Sequence, residues 1–212
     1  MLRVFCPWLL EDGINKILYL DCDMLCKGNI DELFDLDIKY LAMCNEISGN
    51  ISNTQAKRYK KFYPESIYCN AGMILFNVES LKRLYTYDDI LNKMTSEISD
   101  YEFLDQDFLN LLFKGKIDVI DGFRYNFQAY ELIGSCMFEK AINKSKIIHF
   151  SVGKPWNFKT KLSIIKLYYR YSVYLNMKKI VKKELIKAYL FLPFKCMNYV
   201  FSKISRIFKG SN

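Results

Sequence analysis

The chain has 212 residues, 51% of them hydrophobic and 16% aromatic, with 9 Gly, 4 Pro and a formal net charge of +8. These proportions exclude a disordered or collagen-like chain, and the length predicts one domain with a sizeable core plus an appendage. The charge is uneven, with 17 basic against 22 acidic residues up to Gly153 and 14 basic against one acidic from Lys154 onward, so the basicity belongs to the tail.

The opening MLRVFCPWLL is followed by Glu11 and Asp12 with no small-residue cleavage site, which predicts no secretory signal and an intracellular chain. No uncharged stretch reaches the ~18 residues a membrane-spanning helix needs. Cys6, Cys22, Cys26, Cys44, Cys69, Cys136 and Cys196 form no CxxC pair and read as reduced thiols.

Residues 17–20 (ILYL) and 74–76 (ILF) make short apolar runs, and 117–120 (IDVI) and 147–150 (IIHF) are β-rich segments, each of strand length. Helix-like stretches with apolar residues three and four apart lie between them at 55–62, 78–84 and 104–113. The alternation predicts an α/β fold, with a mostly parallel sheet and flanking helices. No GxGxxG follows a candidate strand and no GxxxxGK[ST] occurs, so dinucleotide and P-loop readings have no support.

The first run ends in Asp21-Cys22-Asp23. Strand side chains alternate with period two, which predicts both carboxylates on one side at the carboxyl end of the strand, where open α/β sheets bind ligands. Two crowded carboxylates repel unless a cation compensates, so the pair points to a divalent metal; the alternative is a pair of solvated or helix-capping groups. His149, the single histidine, ends the last run and is followed by Val152-Gly153-Lys154-Pro155-Trp156, a loop offering backbone N–H groups and an ammonium to a phosphate. Two carboxylates and one imidazole suit manganese or a similar borderline ion, with positions left for phosphate oxygens.

The strings YLDCDM, GNIDELFDLD, YCNAGMILFNVESLK, FLDQDFLNLLFKGKIDVIDGFRYNFQ and IIHFSVGKPWN resemble, in order and spacing, those of glycosyltransferase family 8, from about Arg3 to Asn157. That resemblance implies a GT-A fold and a retaining, metal-dependent hexosyltransferase using a UDP-sugar, of the kind that builds lipopolysaccharide. It implies that Asp21 and Asp23 bind Mn2+ (or Mg2+) and the ribose-diphosphate, with His149 as third metal ligand. It further implies that Gly153 and Lys154 hold the diphosphate, that Asn70 and Ala71 contact the donor sugar, and that Asp105 and Gln106 lie beneath the reacting carbon. An amide is a poor nucleophile, so the resemblance favours same-face attack assisted by the departing phosphate, with Asp105 or Asp107 as the alternative nucleophile.

Three departures stand out. The family's N-terminal segment, with its uracil and ribose pocket, precedes the point matched by Met1 and Arg3, so its absence from this sequence predicts an exposed sheet edge open to association. The His149 loop is one residue shorter than usual. A family acidic residue near the sugar hydroxyls falls on either Asn45 or Glu46.

Residues 1–158 are therefore expected to form the catalytic domain and 159–212 a basic helical tail. Met197, Val200, Phe201, Ile204, Ile207 and Phe208 would share one helical face opposite Lys203, Arg206 and Lys209. This pattern suits an anionic membrane surface, with no motif for nucleic acid, and places the chain peripherally on the cytoplasmic face of the cell membrane; the alternative is a helix packed on the body with a solvated charged face. The acceptor would be a glycan or glycolipid. Two other readings remain: a truncated remnant or subunit that keeps the metal site without the nucleotide pocket, and a haloacid-dehalogenase-type phosphatase with Asp21 as nucleophile.

Overall fold

A computed structural model describes residues 2–46, 67–97, 101–134, 136–157 and 159–171, with 182, 183 and 186. The chain divides into two compact units, Met1–Ser151 and Val152–Asn212. In the first, a 3-10 turn at Leu2–Phe5 runs into helix α1 (Cys6–Leu9), where Pro7 occupies the first turn and its missing N–H leaves no bond unmade. Then follow β1 (Lys16–Leu20), β2 (Met24–Cys26), β3 (Leu41–Asn45), β4 (Cys69–Asn77), α2 (Val78–Leu84), α3 (Tyr87–Glu97) and α4 (Asp105–Leu112). The unit closes with β5 (Ile117–Ile120), α5 (Gly122–Tyr125), β6 (Phe127–Gln128), α6 (Ala129–Leu132), α7 (Phe138–Lys144) and β7 (Ile147–His149).

The larger sheet has the order β1-β4-β3-β5 and the smaller β2-β7-β6. β1 and β3 both pair antiparallel to β4, and β3 pairs parallel to β5. Three of the four strands thus run in one direction, as expected, but the reversed strand sits between two of them. The sheet is therefore mixed, and most of its contacts are antiparallel rather than the parallel ones that simple β-α alternation predicts. β1 lies at the edge, and its five residues are half-buried throughout.

β4 supplies the core because eight successive residues, Cys69 to Phe76, are buried, the signature of a strand covered on both faces. Ala71, Ile74 and Phe76 pack with Leu41 and Met43 of β3 and with Leu81, Ile90 and Phe108 from the helices. Met73 packs with Leu33, Cys44 and Ile147 on the opposite side. The inward positions of β4 change parity between Ala71 and Ile74, where the register with β3 jumps from Met43↔Ile74 to Cys44↔Asn70. Ala71, Gly72 and Met73 are thereby left without partners in the β3 ladder, an irregularity of the kind that re-aims strands beside functional sites.

In the second unit, helix α8 (Leu162–Tyr171) buries Ile164, Ile165, Leu167 and Tyr168, and Trp156 meets Tyr168 edge-on at 6.4 Å. Among the described residues no helix is long and apolar enough to cross a membrane. The amphipathic face predicted for 197–208 and the helix predicted for 55–62 lie outside the described residues.

Candidate active site

The Asp21 and Asp23 carboxylates do converge, but not by strand alternation. β1 stops at Leu20, and Asp21 to Met24 form a turn in which the Met24 N–H donates to the Asp21 carbonyl at 3.1 Å. The turn is clamped on both sides. Asp21 N–H donates to the Gly72 carbonyl at 2.8 Å, and Phe150 N–H donates to the Asp23 carbonyl at 3.0 Å, while Met24 pairs with His149 in the β2–β7 ladder. Backbone pairing thus carries the turn and the histidine to one place although they are over a hundred residues apart.

One ligand atom each from Asp21, Asp23 and His149 lies within 4.8 Å of the others. His149 Nε2 is 3.3 Å from Asp23 Oδ1 and 3.9 Å from Asp21 Oδ2. Asp23 and His149 are 6% and 3% exposed. Two acids facing an imidazole in so little solvent fit a divalent cation, since oxygen and nitrogen donors are both offered and the carboxylate repulsion would be offset.

Arg3, which the sequence marked only as the start of the resemblance and not as a site residue, joins this cluster to the next. Its guanidinium lies 3.0 Å from Asp21 Oδ1 and 2.9 Å from Asp105 Oδ2, and donates to the Ala71 carbonyl at 2.7 Å. Burial opposes its charge, but Asp105 and Asp21 outweigh that and hold its pKa above the ordinary value. Burial, here acting in the upward direction, and then the hydrogen bond to Asp21 (2.7 Å) push the Tyr19 phenol up. The sequence signal was available: Arg3 is the single charge in an otherwise apolar decapeptide.

Gln106 is fixed at both ends of its amide, accepting from Ala71 N–H at 3.0 Å and donating to Tyr68 Oη at 3.0 Å. Asp107 is committed to structure, accepting from Tyr68 Oη at 2.6 Å and from the N–H groups of Glu102 and Phe103 at 3.1 and 3.0 Å. Asp105, at the start of α4, faces Arg3 instead. Leu104, just before it, holds φ 45° and ψ −113°, a conformation disfavoured for a residue with a side chain and a form of strain that collects at functional sites.

Asn70 lies between Glu46 and Asn126. Its Nδ2 donates to Glu46 Oε2 at 3.1 Å, and its Oδ1 accepts from Asn126 Nδ2 at 2.8 Å and from Gly72 N–H at 2.9 Å. Gln128 also donates to Glu46. Asn45 turns away to accept from Gly122 N–H at 2.8 Å, so of the two candidates it is Glu46 that joins the cluster. Asn126, wholly buried between Tyr125 and Phe127, went unremarked in the sequence reading; a polar residue inside an aromatic run was its signal. Asp21, Asp23, His149, Asn70, Ala71, Asp105 and Gln106 are thus linked through hydrogen bonds and ion pairs in one unit. Gly153 and Lys154 belong to the second unit, four and five residues beyond His149 along the chain, with Gly153 buried and Lys154 half-buried.

Residues 1–160 match the sequence profile of Glycosyl transferase family 8. The chain is 30% identical over 189 residues to General stress protein A of Bacillus subtilis, covering 81% of this chain and 64% of that protein. It is also 30% identical over 163 residues to the lipopolysaccharide 1,3-galactosyltransferase of Salmonella typhimurium, covering 69% of this chain and 46% of that one. The chain therefore spans 46–64% of the length of these two relatives. It superposes on the bifunctional glycosyltransferase WbbM with a TM-score of 0.62 and 20% identity, covering 87% of this chain and 37% of that one. On the galactosyltransferase LgtC, solved with donor and acceptor sugar analogues, the TM-score is 0.60 at 20% identity, covering 84% of this chain and 69% of that one. At these identities the likeness is one of fold, and the fold is GT-A, as expected.

Proposed function

Because the chain belongs to glycosyltransferase family 8, we propose that its site transfers a hexose from a UDP-sugar, with retention of configuration, to a hydroxyl of a surface glycan or glycolipid such as lipopolysaccharide. The observation that carries this reading is the convergence of Asp21, Asp23 and His149 beside the Arg3-Asp105 pair. Asp21, Asp23 and His149 would hold Mn2+ or Mg2+, which supplies a Lewis acid for the charge that develops on the departing diphosphate.

The chain's own groups account for the rest. Arg3 holds Asp21 and Asp105 in fixed relation, so that the metal end and the sugar end of the site cannot drift apart. Asn70 and Ala71 would face the donor sugar, and Gly153 and Lys154 would hold the diphosphate through a backbone N–H and an ammonium. Gln106, tethered by Ala71 and Tyr68, orients beneath the reacting carbon without acting as a nucleophile. Attack on the same face is then favoured, with the acceptor proton passing to the leaving phosphate. Asp105 pairs with Arg3, and its charge would stabilise a cationic sugar carbon.

In this reading residues 1–158 are the catalytic domain and the basic tail from 159 attaches to anionic lipid on the cytoplasmic face of the membrane, supported by its 14 basic residues against one acidic from Lys154 on. The half-buried edge strand β1 offers a place for association. Calorimetric titration of UDP with and without Mn2+, using the Asp21→Ala/Asp23→Ala double variant as control, tests the core of the proposal. Manganese-dependent binding that the control abolishes is expected; no binding by folded wild-type chain would overturn it.

A further inference from the structure

We propose that Asn126 is a positioning residue that fixes which ring nitrogen of His149 carries the proton, as the last link of a hydrogen-bonded chain anchored on the backbone N–H of Gly72. The proposal deepens the metal-site reading above and rests on it for its purpose.

The direction of every bond in the chain follows from groups that cannot exchange roles. The Gly72 N–H is a donor only and lies 2.9 Å from Asn70 Oδ1, so Asn70 must present its carbonyl oxygen there. Its Nδ2 then faces Glu46 Oε2 at 3.1 Å, and an ionised carboxylate only accepts. The same Asn70 Oδ1 lies 2.8 Å from Asn126 Nδ2, which turns the Asn126 oxygen toward His149 Nδ1 at 2.7 Å. An amide oxygen cannot donate, so Nδ1 carries the hydrogen. In the neutral ring the lone pair is then on Nε2, the nitrogen that faces Asp23 and Asp21. Reversing Asn126 would set its oxygen against that of Asn70, and reversing Asn70 would set its amino group against the Gly72 N–H.

Both asparagine side chains lie in the interior, Asn126 at 0% and Asn70 at 8% exposure, so water is a poor substitute for a mismatched partner. Partners of this kind on the far nitrogen of a metal-binding histidine set its tautomer and ring orientation. Here the partner is a neutral amide, and its own orientation is imposed from β4.

His149 is the single histidine, so 15N-histidine labelling of the full chain gives one pair of ring signals. At mildly alkaline pH, without metal and again with Mg2+ as a diamagnetic probe, the proton is expected on Nδ1. Asn126→Ala is expected to lose that preference and to weaken Mn2+ binding, read from the EPR signal of free ion, by roughly 10- to 100-fold. Asn126→Asp keeps an acceptor facing Nδ1 while setting its second oxygen against Asn70 Oδ1, so it is expected to retain the wild-type tautomer at lower stability, and where neither variant folds the wild-type tautomer alone decides. A wild-type ring protonated on Nε2 alone, or an Asn126→Ala ring with the wild-type tautomer, overturns the proposal. Wild-type protein that keeps Nδ1–H but binds no Mn2+ overturns the metal reading instead and leaves the proton placement supported.

Discussion

The ring of His149 occupies the space in which a side chain on Gly72 would begin: a Cβ at position 72 would sit 2.5 Å from His149 Cε1, 2.8 Å from Met24 Cε and 2.9 Å from Asn70 Oδ1. Met24 has a flexible tip that can withdraw, but the imidazole is held by Asn126 and by the β2–β7 ladder. Gly72→Ala is therefore expected to displace the ring, lowering Mn2+ affinity at least tenfold and stability by about 1–3 kcal/mol. Gly28 is the control, because nothing lies within 4 Å of a Cβ there and Gly28→Ala should change stability by less than about 0.5 kcal/mol. Metal titration and thermal melts of both variants decide it; equal effects would show that Gly72 has no special relation to the histidine.

Arg3 makes contacts that a lysine cannot reproduce. One guanidinium reaches Asp21, Asp105 and the Ala71 carbonyl, whereas an ammonium is a point charge on a flexible stem. Arg3→Ala leaves two carboxylates uncompensated next to the proposed metal and should lower kcat/KM about 100-fold through misplacement of the sugar end. The stability loss should be smaller, about 1–2 kcal/mol, because the pairs are only part-buried. Arg3→Lys should recover stability more than turnover. Turnover of UDP-sugar by both variants, set beside their melting temperatures, provides the check, and wild-type kcat/KM in Arg3→Lys would remove Arg3 from the site.

The acid pair and the histidine were legible in the sequence because each ends an apolar run, and apolar runs of strand length are the feature that survives without an alignment. The reason for their convergence was not legible. Strand periodicity predicted Asp21 and Asp23 on one side, yet they lie in a turn whose shape is set by Gly72 and Phe150, far away in sequence. β3 was invisible because Leu41-Ala42-Met43-Cys44 is buried on both faces and shows no alternation. Antiparallel insertion of β4 was equally hidden, since strand direction depends on the path of the connections and not on any residue in the strand. Glu46 acquires its role only through partners on other elements, so no local pattern separates it from Asn45, and the one local mark of Asn126 is its place inside an aromatic run. Asp107 shows the converse: its motif offered it as a nucleophile, and its bonds to Tyr68, Glu102 and Phe103 assign its oxygens to the loop.

Glu32 gives the fold a pH dependence that is separate from the site. Lys146, then Tyr125 and Arg124, bond its carboxylate and bring its pKa from 4.5 down to about 2. A carboxyl depressed in the folded state stabilises fully above its unfolded value and loses that contribution as pH falls toward its folded value. Glu32→Gln should therefore melt lower than wild type at neutral pH. The gap should narrow as pH drops below 4.5 and close near 2. Melting temperature across that range is the measurement, and a gap independent of pH would mean that the carboxylate charge is not what these contacts use.

Asp105 and Asp107 are two residues apart on one motif, and their surroundings predict opposite phenotypes. Asp107 is 4% exposed and accepts from one hydroxyl and two backbone N–H groups, so Asp107→Asn can keep an oxygen on the two N–H groups only by turning its amino group to Tyr68 Oη, whose buried proton then loses its acceptor. That substitution should destabilise by about 2–4 kcal/mol while leaving kcat within a few-fold of wild type below the melting transition. Asp105→Asn keeps the shape at the start of α4 and weakens the pair with Arg3, so stability should fall by no more than about 1–2 kcal/mol while kcat falls by about 100-fold or more, because the charge opposite the developing cation is gone. Kinetics and calorimetric unfolding of the two variants separate the roles. A large kcat loss in Asp107→Asn with unchanged stability would return that residue to the position of nucleophile, since a group that only braces the loop cannot alter chemistry without altering the fold.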